Sequence, residues 1–187
     1  MSELDFNTAT EQLDVIPDKT PVIVQMRIRE GGAGEDGLLK RSTNGQAEGI
    51  DAEFIIVEGP YAKRKVFAFM VMSGTTDGHA QAADITRSTL RAILESARGI
   101  KPKDVSEAAK KARRAALRDF DGIRFMAKLG VEPAKDVYRA KNTLDLVITP
   151  DHKEWRQIEQ SPGDPVGQPT PPTPTNQGGA IVKPAWA

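Results

Sequence analysis

The chain has 187 residues, 26 of them Lys or Arg and 26 Asp or Glu, so its formal net charge is zero; hydrophobic residues make up 39%. That length suits one domain with an extension better than two domains, and the modest apolar share predicts that part of the chain stays out of the core. With no Cys, and with His79 and His152 as the only histidines, a disulfide framework, thiolate metal sites and a His-rich zinc site are excluded.

From Val22 to Arg29, Val22, Val24, Met26 and Ile28 alternate with Ile23, Gln25, Arg27 and Arg29. A period of two predicts a first strand with one buried face and both arginines on the other. The glycine-rich segment that follows, Gly31 to Gly49, is too long and polar for a tight hairpin and reads as a mobile loop. A second strand is expected over Ile50 to Val57 and a third over Lys65 to Met72, joined as a hairpin by the Glu58-Gly59-Pro60-Tyr61 turn. Ile85, Thr89, Ala92, Ile93, Ser96 and Ala97, widened by Leu90 and Leu94, recur at helical spacing and predict a helix from about Ala80 to Arg98. Lys101-Pro102 breaks it, and Asp104 or Ser106 can cap a second, alanine-faced helix running through Arg118. Ile123, Phe125, Ala127 and Leu129 alternate in a fourth strand, Val131 to Asn142 reads as a loop, and Leu144, Leu146 and Ile148 alternate in a fifth. Three strands, a helical stretch and a two-strand hairpin follow the order of an OB-fold, so the fold class expected is mainly β with a helical insertion, a five-stranded OB-fold barrel over residues 1–160. From Ser161 to Ala187 stand seven of the 13 prolines, and a disordered, Pro-rich C-terminal tail is expected there. No apolar run approaches the length of about 18 residues that a membrane span needs, and the acidic start lacks a secretory pattern, so a cytoplasmic protein is expected.

The charge is unevenly spread. Residues 1–18 carry five acids and no Lys or Arg, whereas 98–128 carry ten bases against four acids. The G-x-G-x-x-G match at Gly32 to Gly37 contains two acids and is not followed by a helical pattern, which argues against a dinucleotide site. Asp51 and Glu53, ahead of Lys63 to Lys65, fit the carboxylate pair and lysine of a metal-dependent nuclease only as a minor alternative to two solvated acids. No enzyme signature emerges, and no cofactor or metal is expected. The remaining constellation mixes cations with rings: Arg27 and Arg29 on strand one, Lys63, Arg64 and Lys65 after the turn, Arg124 and Lys128 on strand four, and Arg139 and Lys141 near the last turn, with Tyr61, Phe67, Phe69 and Tyr138 among them. Single-stranded nucleic acid needs this mixture, because cations neutralise phosphates and flat rings stack on bases. Phe125 reads as core, Phe67 and Phe69 fit core and binding face equally, and Tyr61 and Tyr138, in loops, read as contacts.

With these residues the chain resembles a family of bacteriophage and prophage single-stranded-DNA-binding proteins, long catalogued as a domain of unknown function. The resemblance rests on Leu4-Asp5-Phe6-Asn7, on Val57-Glu58-Gly59-Pro60-Tyr61-Ala62-Lys63-Arg64-Lys65-Val66-Phe67, on Leu90 to Leu94, on Phe125 to Val131 and on Tyr138-Arg139-Ala140-Lys141-Asn142. It implies an OB-fold without catalytic residues that coats single-stranded DNA during phage replication or recombination in the host cytoplasm. The partners expected are single-stranded DNA, replication or recombination proteins recruited by the C-terminal tail, and further copies of the chain in a homo-oligomer; no membrane is expected. Many such binders end in an acidic tail, whereas Asp164 is the only acid after Ser161 here. The competing expectation is a structural or adaptor protein of a phage-like particle, binding protein partners through the barrel and the Pro-rich tail.

Overall fold

Apolar alternation produces strands near each expected position: β1 (Pro21–Ile28), β3 (Ala47–Ile56), β4 (Lys65–Gly74), β5 (Arg124–Glu132) and β6 (Lys141–Val147). These come from a computed structural model that describes residues 14–160; the expected tail from 161 onward, and Leu4 to Asn7 of the resemblance, lie outside the described residues. A further strand, β2 (Lys40–Arg41), interrupts the glycine-rich segment expected to be a mobile loop. There Ala33 bridges Leu39, and Ser42 Oγ accepts the Ala47 amide at 3.0 Å across an Asn44-Gly45 turn, so β2 folds back on β3 as a hairpin.

All pairings are antiparallel, in the order β2-β3-β1-β5-β6, with β4 on the opposite edge of β3. A register break between Glu48 and Gly49 bends β3, and a Cβ on Gly49 would come within 2.5 Å of the Met70 carbonyl oxygen. One edge of β3 thereby serves β2 through Glu48 and Gly49, and β1 through Ala52 to Ile56. The expected five-stranded, partly open barrel is corrected by this topology: six strands form an open sheet, in which β4 and β6 do not pair. The helix α1 (Asp77–Arg98) packs on β4, β5 and β6 and contributes Leu90, Ile93, Leu94 and Ala97 to the core. Beneath it Phe54 meets Phe125 edge to face, ring centres 5.9 Å apart, among Val24, Met26, Ile50, Ile56 and Leu129.

Thr76 caps α1 by accepting the His79 amide, and Gly99 ends it in the left-handed conformation. Leu90, Ile93, Leu94, Ser96 and Ala97 of the expected face are buried, but its first turns differ, because Ile85 is 61% exposed while Ala83 and Thr86 are buried. The second helix is shorter than expected: α2 (Glu107–Ala112) stops well before Arg118, and a single 3-10 turn (Leu117–Phe120) follows. The expected loop from Val131 to Asn142 shrinks to a hairpin tip in which Lys135 and Tyr138 exchange backbone hydrogen bonds. Where β5 and β6 pair, the register slips between Lys128 and Leu129. This bulge breaks the expected alternation, turning Leu146 outward at 46% exposure and burying Val147 and Ile148.

After β6 the chain returns across the sheet as a strap. Ile158 and Trp155 pack on Ile23, Met126 and Ile148, Trp155 Nε1 donates to the Ser96 carbonyl at 3.1 Å, and the Gln160 amide bonds both backbone groups of Arg124. Among the described residues no helix is long and apolar enough to cross a membrane.

Candidate nucleic-acid interface

The outer face of β1, β3 and β4 is built by register. Arg27, Glu53 and Phe67 lie side by side across the three strands, and Asp51 and Phe69 form the next row. Because Val66 and Met70 point into the core, Phe67 and Phe69 point out, 52% and 41% exposed, and the choice between core and surface falls to the surface. Such exposure of two large rings two residues apart on a strand is uneconomical for folding alone, since each leaves apolar area in water.

Cations surround these rings and are positioned by buried carboxylates. The Arg29 guanidinium lies 5.0 Å from the centre of the Phe67 ring and donates to Asp51 Oδ1 at 2.6 Å, while Lys40 Nζ reaches Asp51 Oδ2 at 2.8 Å. Lys65 Nζ pairs with Glu53 Oε1 at 2.9 Å. Each of Arg29, Lys40 and Lys65 keeps about half its side chain in solvent, against 10% for Asp51 and 14% for Glu53. The acids thus aim the cations without covering them. This geometry also accounts for Asp51 and Glu53 otherwise than as a metal pair: three amine or guanidinium groups occupy their oxygens, and among the described residues no group of three or more His, Cys, Asp or Glu is placed to hold a metal ion.

Burial pushes the Asp51 carboxyl up, but hydrogen bonds from Lys40 and Arg29 outweigh it and hold the group below its ordinary value of 3.8. A carboxylate whose folded pKa is depressed contributes stability that is present above the unfolded value and lost as pH falls through the folded one. Melting temperature followed from neutral pH into acid should therefore fall less steeply below pH 3.8 in Asp51→Asn than in the wild-type chain. An unchanged acid limb would mean that the two cations do not stabilise this carboxylate in solution.

The other residues expected to bind fall into three places. Arg27 is exposed on the same face, 3.7 Å from Asp121. Tyr61, Lys63 and Arg64 stand in the turn between β3 and β4, where Tyr61 leans on the core under the Arg64 guanidinium and Arg64 also donates to the Asp14 carbonyl at 2.5 Å. Lys63 is exposed, with a backbone φ of 70°. Tyr138, 76% exposed, and Arg139 sit on the β5–β6 hairpin tip, with Lys141 paired to Glu132 at 3.1 Å. Turn and tip share the end of the sheet at which β1 begins. Arg124 and Lys128 are on the outer face too, but the strap covers that part: Lys128 pairs with Glu154 at 2.5 Å and keeps only 19% of its side chain exposed. The structure does not bring these two to the open surface around Phe67.

Sequence reasoning missed Lys40 and the supporting role of Asp51. A signal was present in Asn44-Gly45, a hairpin turn dipeptide between Lys40-Arg41 and the second strand. Compared with known proteins, the chain matches no protein-family model and no curated protein sequence.

Proposed function

We propose that this chain binds single-stranded DNA, with little regard to sequence, on the outer face of β1, β3 and β4. The observation that carries the proposal is the pair Phe67 and Phe69, exposed on one strand and flanked by Arg27, Arg29, Lys40 and Lys65. Every base has a flat face, so two solvent-facing rings accept any base, while the cations neutralise the phosphates between stacked bases. Strand order supports an OB-type scaffold: the first strand pairs with the second long strand and with the strand after the helix, as in a Greek-key barrel left open between β4 and β6. In that scaffold β3 and β4, with the β1–β3 and β5–β6 connections, form the usual oligonucleotide face, and here Lys40 and Tyr138 stand on those connections. The resemblance to phage single-stranded-DNA-binding proteins adds replication or recombination as the setting.

A salt-titrated fluorescence measurement with single-stranded and duplex oligonucleotides tests this. Affinity in the micromolar range or tighter is expected for single strands at low salt, with weaker duplex binding, because paired bases cannot stack on the rings. Equal affinity for both would reduce the face to a basic surface, and no binding to either would leave the adaptor alternative.

A further inference from the structure

The densest run of cations in the chain, between Arg98 and Arg118, lies outside the face just described. Its inner side is a lock. Glu95 Oε1 accepts from Arg113 Nε at 2.7 Å and Arg91 Nε at 2.9 Å, and Arg113 also donates to the carbonyls of Lys101, Pro102 and Asp104. Arg98 donates to the carbonyls of Ala112 and Arg114. With Ala109 and Ala112 packed on Ile100, these bonds fix the backbone from Lys101 to Arg114 against the end of α1.

What this rigid segment turns outward is net positive: its exposed acids are Asp104 and Glu107, and Glu107 pairs with Lys110 at 2.7 Å. Lys101, Lys103, Lys111 and Arg114 are exposed and have no ion-pair partner among the described residues, unlike Arg29, Lys40 and Lys65 on the sheet. The ridge also joins the sheet face. Arg118 stands 4.0 Å from Glu30, the residue after Arg29, and Asp121 fixes the junction by accepting the Ile28 amide at 2.9 Å while facing Arg27. Arg29, Arg27 and Arg118 therefore meet at this junction, and the chain leads back from Arg118 to Arg114 and Lys111. Protein-docking patches centre on buried aromatic, Met or Leu anchors, whereas the exposed neighbours on this ridge are mainly Ala108, Ala115, Ala116 and the lone Val105. Unpaired cations without apolar anchors suit a phosphate backbone.

We infer that the ridge from Lys101 to Arg118 is a second phosphate-binding track, which carries a single strand onward after it leaves the aromatic face at Arg29. The inference rests on the single-strand reading of the sheet face and deepens it: the ridge adds footprint length and salt dependence without adding stacking. Strands too short to pass Arg118 do not feel it.

The test uses the full chain and its Lys111→Ala/Arg114→Ala/Arg118→Ala variant, with oligothymidylates of roughly 5 and roughly 25 nucleotides, at the short end of and beyond the span of a single OB-type site. On the long strand the variant should lose about 2 from the slope of log affinity against log salt, at roughly 0.7 per phosphate contact, and on the short strand it should match the wild type. The charge-keeping variant Lys111→Arg/Arg114→Lys/Arg118→Lys should restore the long-strand slope, and circular dichroism should show both variants folded. Wild-type slopes at both lengths would overturn the track while leaving the sheet-face reading intact, and would fit a ridge that meets an acidic protein segment instead. Equal losses at both lengths would also overturn it, showing one undivided site. If the wild-type chain binds neither oligonucleotide, the sheet-face reading fails and the track falls with it.

Discussion

Replacing Phe67 and Phe69 together with alanine should weaken single-strand binding by about 2 to 6 kcal/mol, since each stacked base contributes about 1 to 3 kcal/mol. The slope of log affinity against log salt should stay near the wild-type value, because stacking releases no counterions. Fluorescence titration over a series of salt concentrations measures both quantities at once. The fold should survive, as both rings are about half exposed and their neighbours Val66 and Met70 keep the strand anchored in the core. A folded double variant with wild-type affinity would remove the stacking half of the mechanism. An equal loss of affinity with a shallower slope would instead show that the rings act by holding Arg29, whose guanidinium lies over Phe67.

The largest effect on stability is expected at Glu95. Its side chain is 4% exposed and that of Arg113 is 15% exposed, so removing either leaves the other charge buried with part of its hydrogen bonding gone. Glu95→Ala should cost about 3 to 5 kcal/mol in urea denaturation, the range for breaking a buried pair from one side. Arg91, more than half exposed, adds little to that figure, because solvent screens its arm of the network. A double-mutant cycle with Arg113→Ala should return a coupling of at least about 1 kcal/mol. A cost below about 1 kcal/mol for Glu95→Ala would mean that the alanine packing of α2 holds the segment by itself. Because the network fixes the ridge, a folded Glu95→Gln chain should also show a shallower salt slope than the wild type on long strands and an unchanged slope on short ones.

The existence of five strands and the long helix was legible in the residues themselves. Alternation in Val22 to Ile28 and in Lys65 to Met72 is a local property, and a half-buried strand reports it directly. The two faces of β4 could be separated by the same alternation, but which face met solvent could not: Phe67 and Phe69 are as apolar as Val66 and Met70. Only the tertiary structure decided that, by packing α1 and the core on the Val66 side and leaving the ring side open. The arginines of the first strand were likewise readable as outward-facing, whereas the carboxylates they pair with are distant in sequence, Asp51 on β3 for Arg29 and Asp121 for Arg27. Arg124 and Lys128 looked equivalent to Arg27 and Arg29, since both pairs alternate with apolar residues in a strand. The strap that carries Trp155 and Gln160 separates them, and its path depends on Trp155 finding the Ser96 carbonyl.

The bulges mark the same boundary between local and distant causes. Period-two counting placed Leu144, Leu146 and Ile148 on one face, and a single extra residue opposite Lys128 and Leu129 moved Leu146 to the other. Closure failed for a related reason. Strand order is encoded in chain order and turn chemistry, but whether β4 pairs with β6 depends on how two strands far apart in sequence meet. Sequence by itself determined the strands, their order and the supply of rings and cations; only the tertiary structure decided that β4 and β6, though they come into contact, do not pair, because that pairing joins segments far apart in sequence and no local pattern reports it.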